Sequence, residues 1–175
     1  MCLNVFNLTI LVNLYYNQLV DQSTSGVNME KIFEHFTITI LKLNKLVQKI
    51  KNFEMHEYGL KTIHVMCVYY LGSHPEGLTA SELTKLTLED KAAISRALKV
   101  LKEKSYVSYD PNKYNADILL TNEGKKLASI IGKKAEAAVS AGSYDFTDEQ
   151  RNSFYVELGT IADNLENYYN TLIGK

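Results

Sequence analysis

Side chains that can bind phosphate groups and base edges are concentrated between Lys85 and Lys104. This segment has six basic and three acidic residues, a local excess of three positive charges in a chain whose net charge is −1. Arginine can bond guanine or phosphate bidentately, lysine and serine can bind phosphate or base edges, and alanine can contact a thymine methyl group. The candidate contact residues of these types are Lys91, Ala92, Ser95, Arg96 and Lys99. The segment 136–175 has seven acidic residues against two basic ones, so it should not face phosphate.

Two flanking groups of polar residues are weaker candidates for the same chemistry. The first group is Thr79, Ser81 and Lys85. It stands at a predicted short helix, whose N-terminus and hydroxyl groups can hold a phosphate, although helix capping explains it as well. The second group is Asn112, Lys113 and Tyr114. It lies in a turn that could reach an adjacent groove, yet a turn rich in Pro and Asn needs no ligand to explain it.

His64 and Cys67 stand three residues apart, a spacing that places both on one face of a helix and suggests metal or thiol chemistry. Core packing is the preferred interpretation, because Cys67 lies among apolar residues and no local His or acidic residue completes a metal site. We therefore expect no metal and no cofactor. A metal-sensing role remains an alternative that depends on tertiary contacts with His35, His56 and His74.

The sequence contains no Gly-rich phosphate loop, no HExxH and no GxSxG, so we do not expect an enzyme. Its two cysteines form no CxxC pair, which favours a reducing, cytoplasmic compartment. The apolar residues among the first twenty are interrupted by Asn and Gln and are not preceded by basic residues, so we expect neither a signal peptide nor a membrane span, although these remain the competing interpretation of this segment.

Periodicity predicts a mainly α protein with one small β-hairpin. Amphipathic or buried helices are expected over residues 30–51 and 58–71, followed by a short helix that a Thr79–Glu82 capping box opens. Thr87 is predicted to cap the next helix, with Glu89 and Asp90 in its first turn. The β-prone runs 106–110 and 116–120 then flank a turn. Two helices with a tight connection and a following hairpin predict a winged helix-turn-helix.

The chain ends are predicted to form a dimer interface. Thr121 is expected to cap a helix to about Val139, and Thr147 another helix whose apolar stripe from Phe154 to Leu172 needs a partner surface. The helix at 30–51 carries a similar stripe, so we expect the two to pack together within a protomer and across a two-fold axis. The expected division is an extension or extra helix at 1–28, an N-terminal dimerisation helix at 29–57, a winged helix at 58–128 and C-terminal dimerisation helices at 129–175.

The segments LTASELTKLTLEDKAAISRALKVLKEKSYV and LLTNEGKKLA resemble the MarR (multiple antibiotic resistance regulator) family of transcriptional regulators. The resemblance implies a homodimer of winged helices that binds a pseudo-palindromic operator in double-stranded DNA, usually as a repressor. It also implies that a ligand, an oxidant or a metal loosens DNA binding. Tyr58, His64, Tyr69 and Tyr70 could line a pocket for a small-molecule effector, although aromatic residues on a buried helix usually belong to the core.

The hairpin departs from the family pattern. Family wings commonly carry an Asp-Arg-Arg motif, whereas this hairpin reads YDPNKYNADILL and Lys113 is its only cation. Narrow minor grooves favour arginine over the more strongly hydrated lysine, so we expect a weaker or more phosphate-directed wing contact. The arginine-poor wing and the near-neutral net charge also leave open a winged helix that binds proteins instead of DNA.

Overall fold

The computed structural model describes residues 29–110, 112–113 and 115–174. The predicted extension at 1–28 lies outside these residues, as does Tyr114. The chain divides into two compact units with the boundary between Thr62 and Ile63.

In the first unit, helix α1 (Met29–Glu54) is followed by the short 3-10 helix η1 (His56–Tyr58). Gly59 ends η1 in the left-handed conformation (φ 61°), and its N–H donates to the His56 carbonyl at 2.9 Å. The predicted helix at 58–71 therefore begins later, at Thr62, because the left-handed Gly59 interrupts the helical path.

The second unit contains the remaining helices and the hairpin. In chain order these are α2 (Thr62–Gly72, whose first residue belongs to the first unit), α3 (Ala80–Thr87), α4 (Lys91–Glu103), β1 (Val107–Ser108), β2 (Leu119–Leu120), α5 (Asn122–Gly142) and α6 (Asp148–Leu172). Its most deeply buried side chains are Cys67, Val68, Leu83, Ile94, Leu101 and Ile118. The core thus lies where α2, α3, α4 and the hairpin meet, and the predicted mainly α winged helix is confirmed.

The start of α4 corrects the sequence-based prediction. Its N-cap is Asp90, whose Oδ1 accepts the backbone N–H of Ala93 at 2.7 Å. Thr87 instead ends α3, and its hydroxyl donates to the Leu83 carbonyl at 2.7 Å. Leu88 then takes the left-handed conformation (φ 58°), which reverses the chain between the two helices.

The hairpin pairs over fewer residues than predicted. β1 and β2 are antiparallel, with Val107 opposite Leu120 and Ser108 opposite Leu119. The ladder stops there because Ile118 pairs with Leu78: each backbone N–H donates to the other's carbonyl, at 2.9 and 3.2 Å. The hairpin, called the wing below (residues 107–120), is thereby tied to the segment that precedes α3.

The last two helices begin at the predicted caps. The Thr121 hydroxyl accepts the Gly124 N–H at 3.0 Å, and Thr147 forms a capping box with Gln150. Helix α5 runs three residues beyond the predicted end at Val139, to Gly142. No residue of α6 is buried in the described part of the chain. Among the described residues, no helix is both long enough and apolar enough to cross a bilayer.

Gly124 lies in the first turn of α5, where the chain just before β1 passes close to the helix. A Cβ atom there would overlap the carbonyl oxygen of Tyr106. That oxygen cannot retreat easily, since it accepts the backbone N–H of Thr121 at 3.1 Å. We therefore predict that Gly124→Ala lowers the free energy of unfolding by about 2–3 kcal/mol, the cost of overpacking a rigid site, as measured by urea denaturation.

Gly132 in the same helix provides the matched control. A Cβ atom at this position would meet no atom of the described residues within 4 Å. Gly132→Ala should leave the free energy of unfolding unchanged or raise it by up to about 1 kcal/mol, because alanine is the better helix former. Equal stabilities of the two variants would contradict the close approach at Gly124.

Candidate nucleic-acid interface

Helix α4 has one buried and one exposed face. The side chains of Ile94, Ala97, Leu98 and Leu101 are buried. The five residues predicted to contact DNA are all exposed: Lys91, Ala92, Ser95, Arg96 and Lys99. Their spacing of one, three or four residues places them along a single stripe of a helix with 3.6 residues per turn. We call this set the α4 stripe.

The cations of the α4 stripe are available for a ligand. Within the part of the chain that the structure describes, the side chains of Lys91, Arg96 and Lys99 make no hydrogen bond or ion pair. The backbone N-terminus of α4 is less available, because the Asp90 carboxylate already accepts the N–H of Ala93. The Asp90 carboxylate also places a negative charge beside the remaining free N–H groups, so binding of an anion by α4 depends mainly on its side chains.

Helix α3 begins with a closed capping box. Thr79 Oγ1 accepts the Glu82 N–H at 3.2 Å and donates to Glu82 Oε2 at 2.8 Å, and the Thr79 N–H donates to the same oxygen at 2.8 Å. These hydrogen bonds hold the pKa of the Glu82 carboxyl below its ordinary value. The capping explanation thus accounts for Thr79, whereas Ser81 and Lys85 are exposed and remain candidates for a phosphate contact.

The turn between α3 and α4 holds a feature that the sequence did not indicate. The Leu88 side chain is 91% exposed and its backbone is left-handed. Leucine does not favour the left-handed conformation, so the residue type at position 88 could not predict it. Glu89 and Asp90 follow it, also exposed, so an apolar side chain and two carboxylates border the α4 stripe.

The tip of the wing is organised by Asp110. Its Oδ1 accepts the N–H of Asn112 at 2.9 Å, and its carbonyl accepts the N–H of Lys113 at 3.4 Å. Asn112 and Lys113 are exposed. Lys113 Nζ lies 3.9 Å from Asp117 Oδ2 in an exposed pair. Such pairs contribute little, so Lys113 can exchange this partner for a phosphate at small cost.

A second wing contact was not predicted. Lys102 Nζ donates to the Tyr109 carbonyl at 3.0 Å and lies 4.4 Å from the centroid of the Tyr109 ring. Lys102 belongs to α4 and Tyr109 to the wing, so neither the helical nor the strand period relates the two residues.

His64 and Cys67 are both buried in α2. No three His, Cys, Asp or Glu residues in the described ranges are grouped so that they could hold a metal ion. Tyr69 and Tyr70, suggested as effector contacts, pack edge to face with their ring centroids 5.7 Å apart. Tyr58 belongs to the first unit and these two tyrosines to the second.

Burial and, to a smaller extent, the Glu89 carboxylate together raise the pKa of the Cys67 thiol to about 12. The thiolate is the reactive form, so we predict that, in a Cys2→Ser variant at pH 8.5, Ellman's reagent labels folded Cys67 at least about 100-fold more slowly than urea-unfolded Cys67. The unfolded thiol ionises near 9.0 and the folded one only near 12, so stability should fall as pH rises between these values. Equal labelling rates would contradict the burial of this thiol.

The family comparison agrees with this geometry. Residues 58–113 match the model of the MarR family. This segment contains α2, α3, α4 and β1 and ends in the wing. Among curated proteins, none matched the sequence.

Solved structures share the fold over about three quarters of the chain. A MarR transcriptional regulator from Methanosarcina mazei Go1 is similar with a TM-score of 0.70 and 22% identity, over 77% of this chain and 92% of that one. A MarR protein from Peptoclostridium difficile has a TM-score of 0.69 and 19% identity, over 78% and 91%. The S. aureus MepR in a MepR–DNA complex has a TM-score of 0.65 and 16% identity, over 74% and 96%. The resemblance predicted from the sequence is confirmed: residues 58–113 match the MarR family model, and the chain shares the winged-helix fold of these solved structures.

Proposed function

We propose that this protein is a transcriptional regulator that binds double-stranded DNA sequence-specifically, with α4 as its recognition helix. The observation that carries the proposal is the α4 stripe, in which Lys91, Arg96 and Lys99 share one exposed face. Recognition of this kind needs binding contacts and no chemical step, so the proposed role is not enzymatic. The MarR match over residues 58–113 and the similarity to MepR in a DNA complex support it.

The dimensions of α4 suit a major groove. The stripe from Lys91 to Lys99 rises about 12 Å along the helix axis, and the major groove of B-DNA is also about 12 Å wide. Arg96 near its middle is the strongest candidate for a base edge, because its guanidinium can bond guanine O6 and N7 together. Lys91, Ser95 and Lys99 would add phosphate or base contacts, and Ala92 would meet a thymine methyl group.

We propose that the active form is a homodimer. The α6 stripe (Phe154, Leu158, Ile161, Leu165, Tyr168 and Leu172) leaves large apolar side chains exposed; Leu165, Tyr168 and Leu172 are 51%, 62% and 65% exposed. Helix α1 also exposes many apolar side chains. Pairing such surfaces across a two-fold axis would bury them and present two copies of α4 to half-sites about 34 Å apart on a pseudo-palindromic operator.

Repression, with release by a small-molecule effector, is the mode that the family match favours.

A protein-binding winged helix is the second candidate. The observation that favours it is the 91% exposed Leu88 beside the carboxylates of Glu89 and Asp90, a combination that suits a protein surface better than a phosphate backbone. The two functions differ in salt response. DNA binding releases counterions, so log K falls linearly as log salt rises, with a slope of about −0.9 for each phosphate neutralised.

Selection of bound fragments from random duplex DNA would give the operator and its half-site spacing. On that operator, Arg96→Ala should weaken binding by about 1–3 kcal/mol, or about 5- to 150-fold, in fluorescence anisotropy, with an unchanged circular dichroism spectrum. Arg96→Lys should fail to restore affinity fully, since lysine cannot bond guanine bidentately. Lys133→Ala removes an exposed cation of α5 outside the stripe and should bind like the wild type.

Two outcomes would count against DNA recognition. An Arg96→Ala protein that binds as tightly as the Lys133→Ala control would remove the assigned role of the α4 stripe. If the wild-type protein selects no duplex, or its affinity does not change with salt, the protein-binding alternative is favoured.

The dimer is tested by placing charge in the α6 stripe. Ile161→Glu combined with Leu165→Glu should convert the dimer to a monomer in sedimentation equilibrium and weaken operator binding by at least about 100-fold, because paired half-sites no longer bind as one unit. Asn167→Glu, on the opposite side of α6, is the matched control and should remain dimeric. A monomeric wild-type protein, or a dimeric double variant, would contradict the assignment.

A further inference from the structure

Lys102 joins the recognition helix to the wing. It lies in the last turn of α4, and its Nζ reaches Tyr109, the residue that follows β1. The ammonium group donates to the Tyr109 carbonyl at 3.0 Å and lies 4.4 Å from the centroid of that residue's ring. A backbone dipole and an aromatic face thus hold the same cation, and both belong to one residue.

The wing needs such support because its strands pair over only two residues each. A two-stranded hairpin is marginally stable on its own, and the Ile118–Leu78 bridge anchors only the base of its second strand, so the direction of the tip is set weakly. Tyr109 stands between the ladder and Asp110, whose oxygens accept the N–H groups of Asn112 and Lys113. A contact that fixes the Tyr109 backbone therefore fixes the base of the turn that carries Lys113.

We propose that Lys102 is a wing-positioning residue, which by binding Tyr109 sets where the Lys113 tip stands relative to the α4 stripe. The inference rests on the proposed binding of DNA by these elements. Its competitor is a direct contact between Lys102 and a phosphate. The geometry favours positioning, because the ammonium group already donates to the Tyr109 carbonyl and lies against that residue's ring, so both contacts are made without DNA.

Three variants test the role. Lys102→Met keeps most of the aliphatic stem but removes the ammonium group. Lys102→Arg can still donate to the Tyr109 carbonyl and stack on its ring. Lys104→Met is the control, because it removes a neighbouring exposed cation. Without DNA, the {1H}–15N nuclear Overhauser effects of the Asn112 and Lys113 amides should fall in Lys102→Met only. With operator DNA, Lys102→Met should bind about five- to tenfold more weakly than the wild type, which is the scale of losing one hydrogen bond and one cation–π contact. Lys102→Arg should bind near the wild-type level.

A double-mutant cycle with Lys113→Ala separates positioning from direct contact. If Lys102 acts through the wing, Lys102→Met should weaken binding little further once Lys113 is already removed. The opposite result is that the two substitutions weaken binding additively, and that Lys102→Met in the Lys113→Ala background reduces the slope of log K against log salt by about 0.9. That result would show a direct phosphate contact and overturn the proposal. Wing amides unaffected by Lys102→Met would also overturn it. That measurement needs no DNA, so it decides the positioning role even if the wild-type protein binds no duplex and the proposed function fails.

Discussion

Burial of one face of α4 fixes the rotation of that helix about its own axis, and the exposure of the α4 stripe follows from it. Ile94 and Leu101 are fully buried two turns apart, and Ala97 and Leu98 lie between them. Rotating the helix by one residue, about 100°, would move charged side chains into the core, where an unpaired polar group costs several kcal/mol. The core therefore selects one outward face, and Arg96 belongs to it.

The same helix also fixes the base of the wing. After α4, the N–H groups of Ser105 and Tyr106 turn back to the carbonyls of Lys102 and Leu101, both at 2.9 Å, with Ser105 left-handed at φ 61°. The Thr121 hydroxyl donates to the Ser105 carbonyl at 2.6 Å. The ends of α4, β1 and the start of α5 thus meet in one cluster of backbone contacts. A shift of α5 cannot occur without moving the start of the wing.

Local sequence determined the N-caps of three helices and the outward face of α4. The caps Thr79, Thr121 and Thr147 were predicted correctly because a cap and the N–H groups that it accepts lie within three residues. The α4 stripe was likewise readable, because a helical period places residues on a face before any tertiary contact exists. The resemblance to the MarR family was visible for the same reason, because it lies in the order of these local signals along the sequence.

Tertiary structure decided the features that depend on contacts between residues far apart in the sequence. Leu78 and Ile118 are forty residues apart in sequence, and their pairing, which shortens the strands, has no local signature. The choice of Asp90 over Thr87 as the cap of α4 also depended on how the chain reverses between two packed helices, since both residue types cap helices well. The contact of Lys102 with Tyr109 arose only when α4 and the wing were brought together. Hydrogen bonds within one turn are set by the order of residues, whereas those between elements require the core that holds the elements in place.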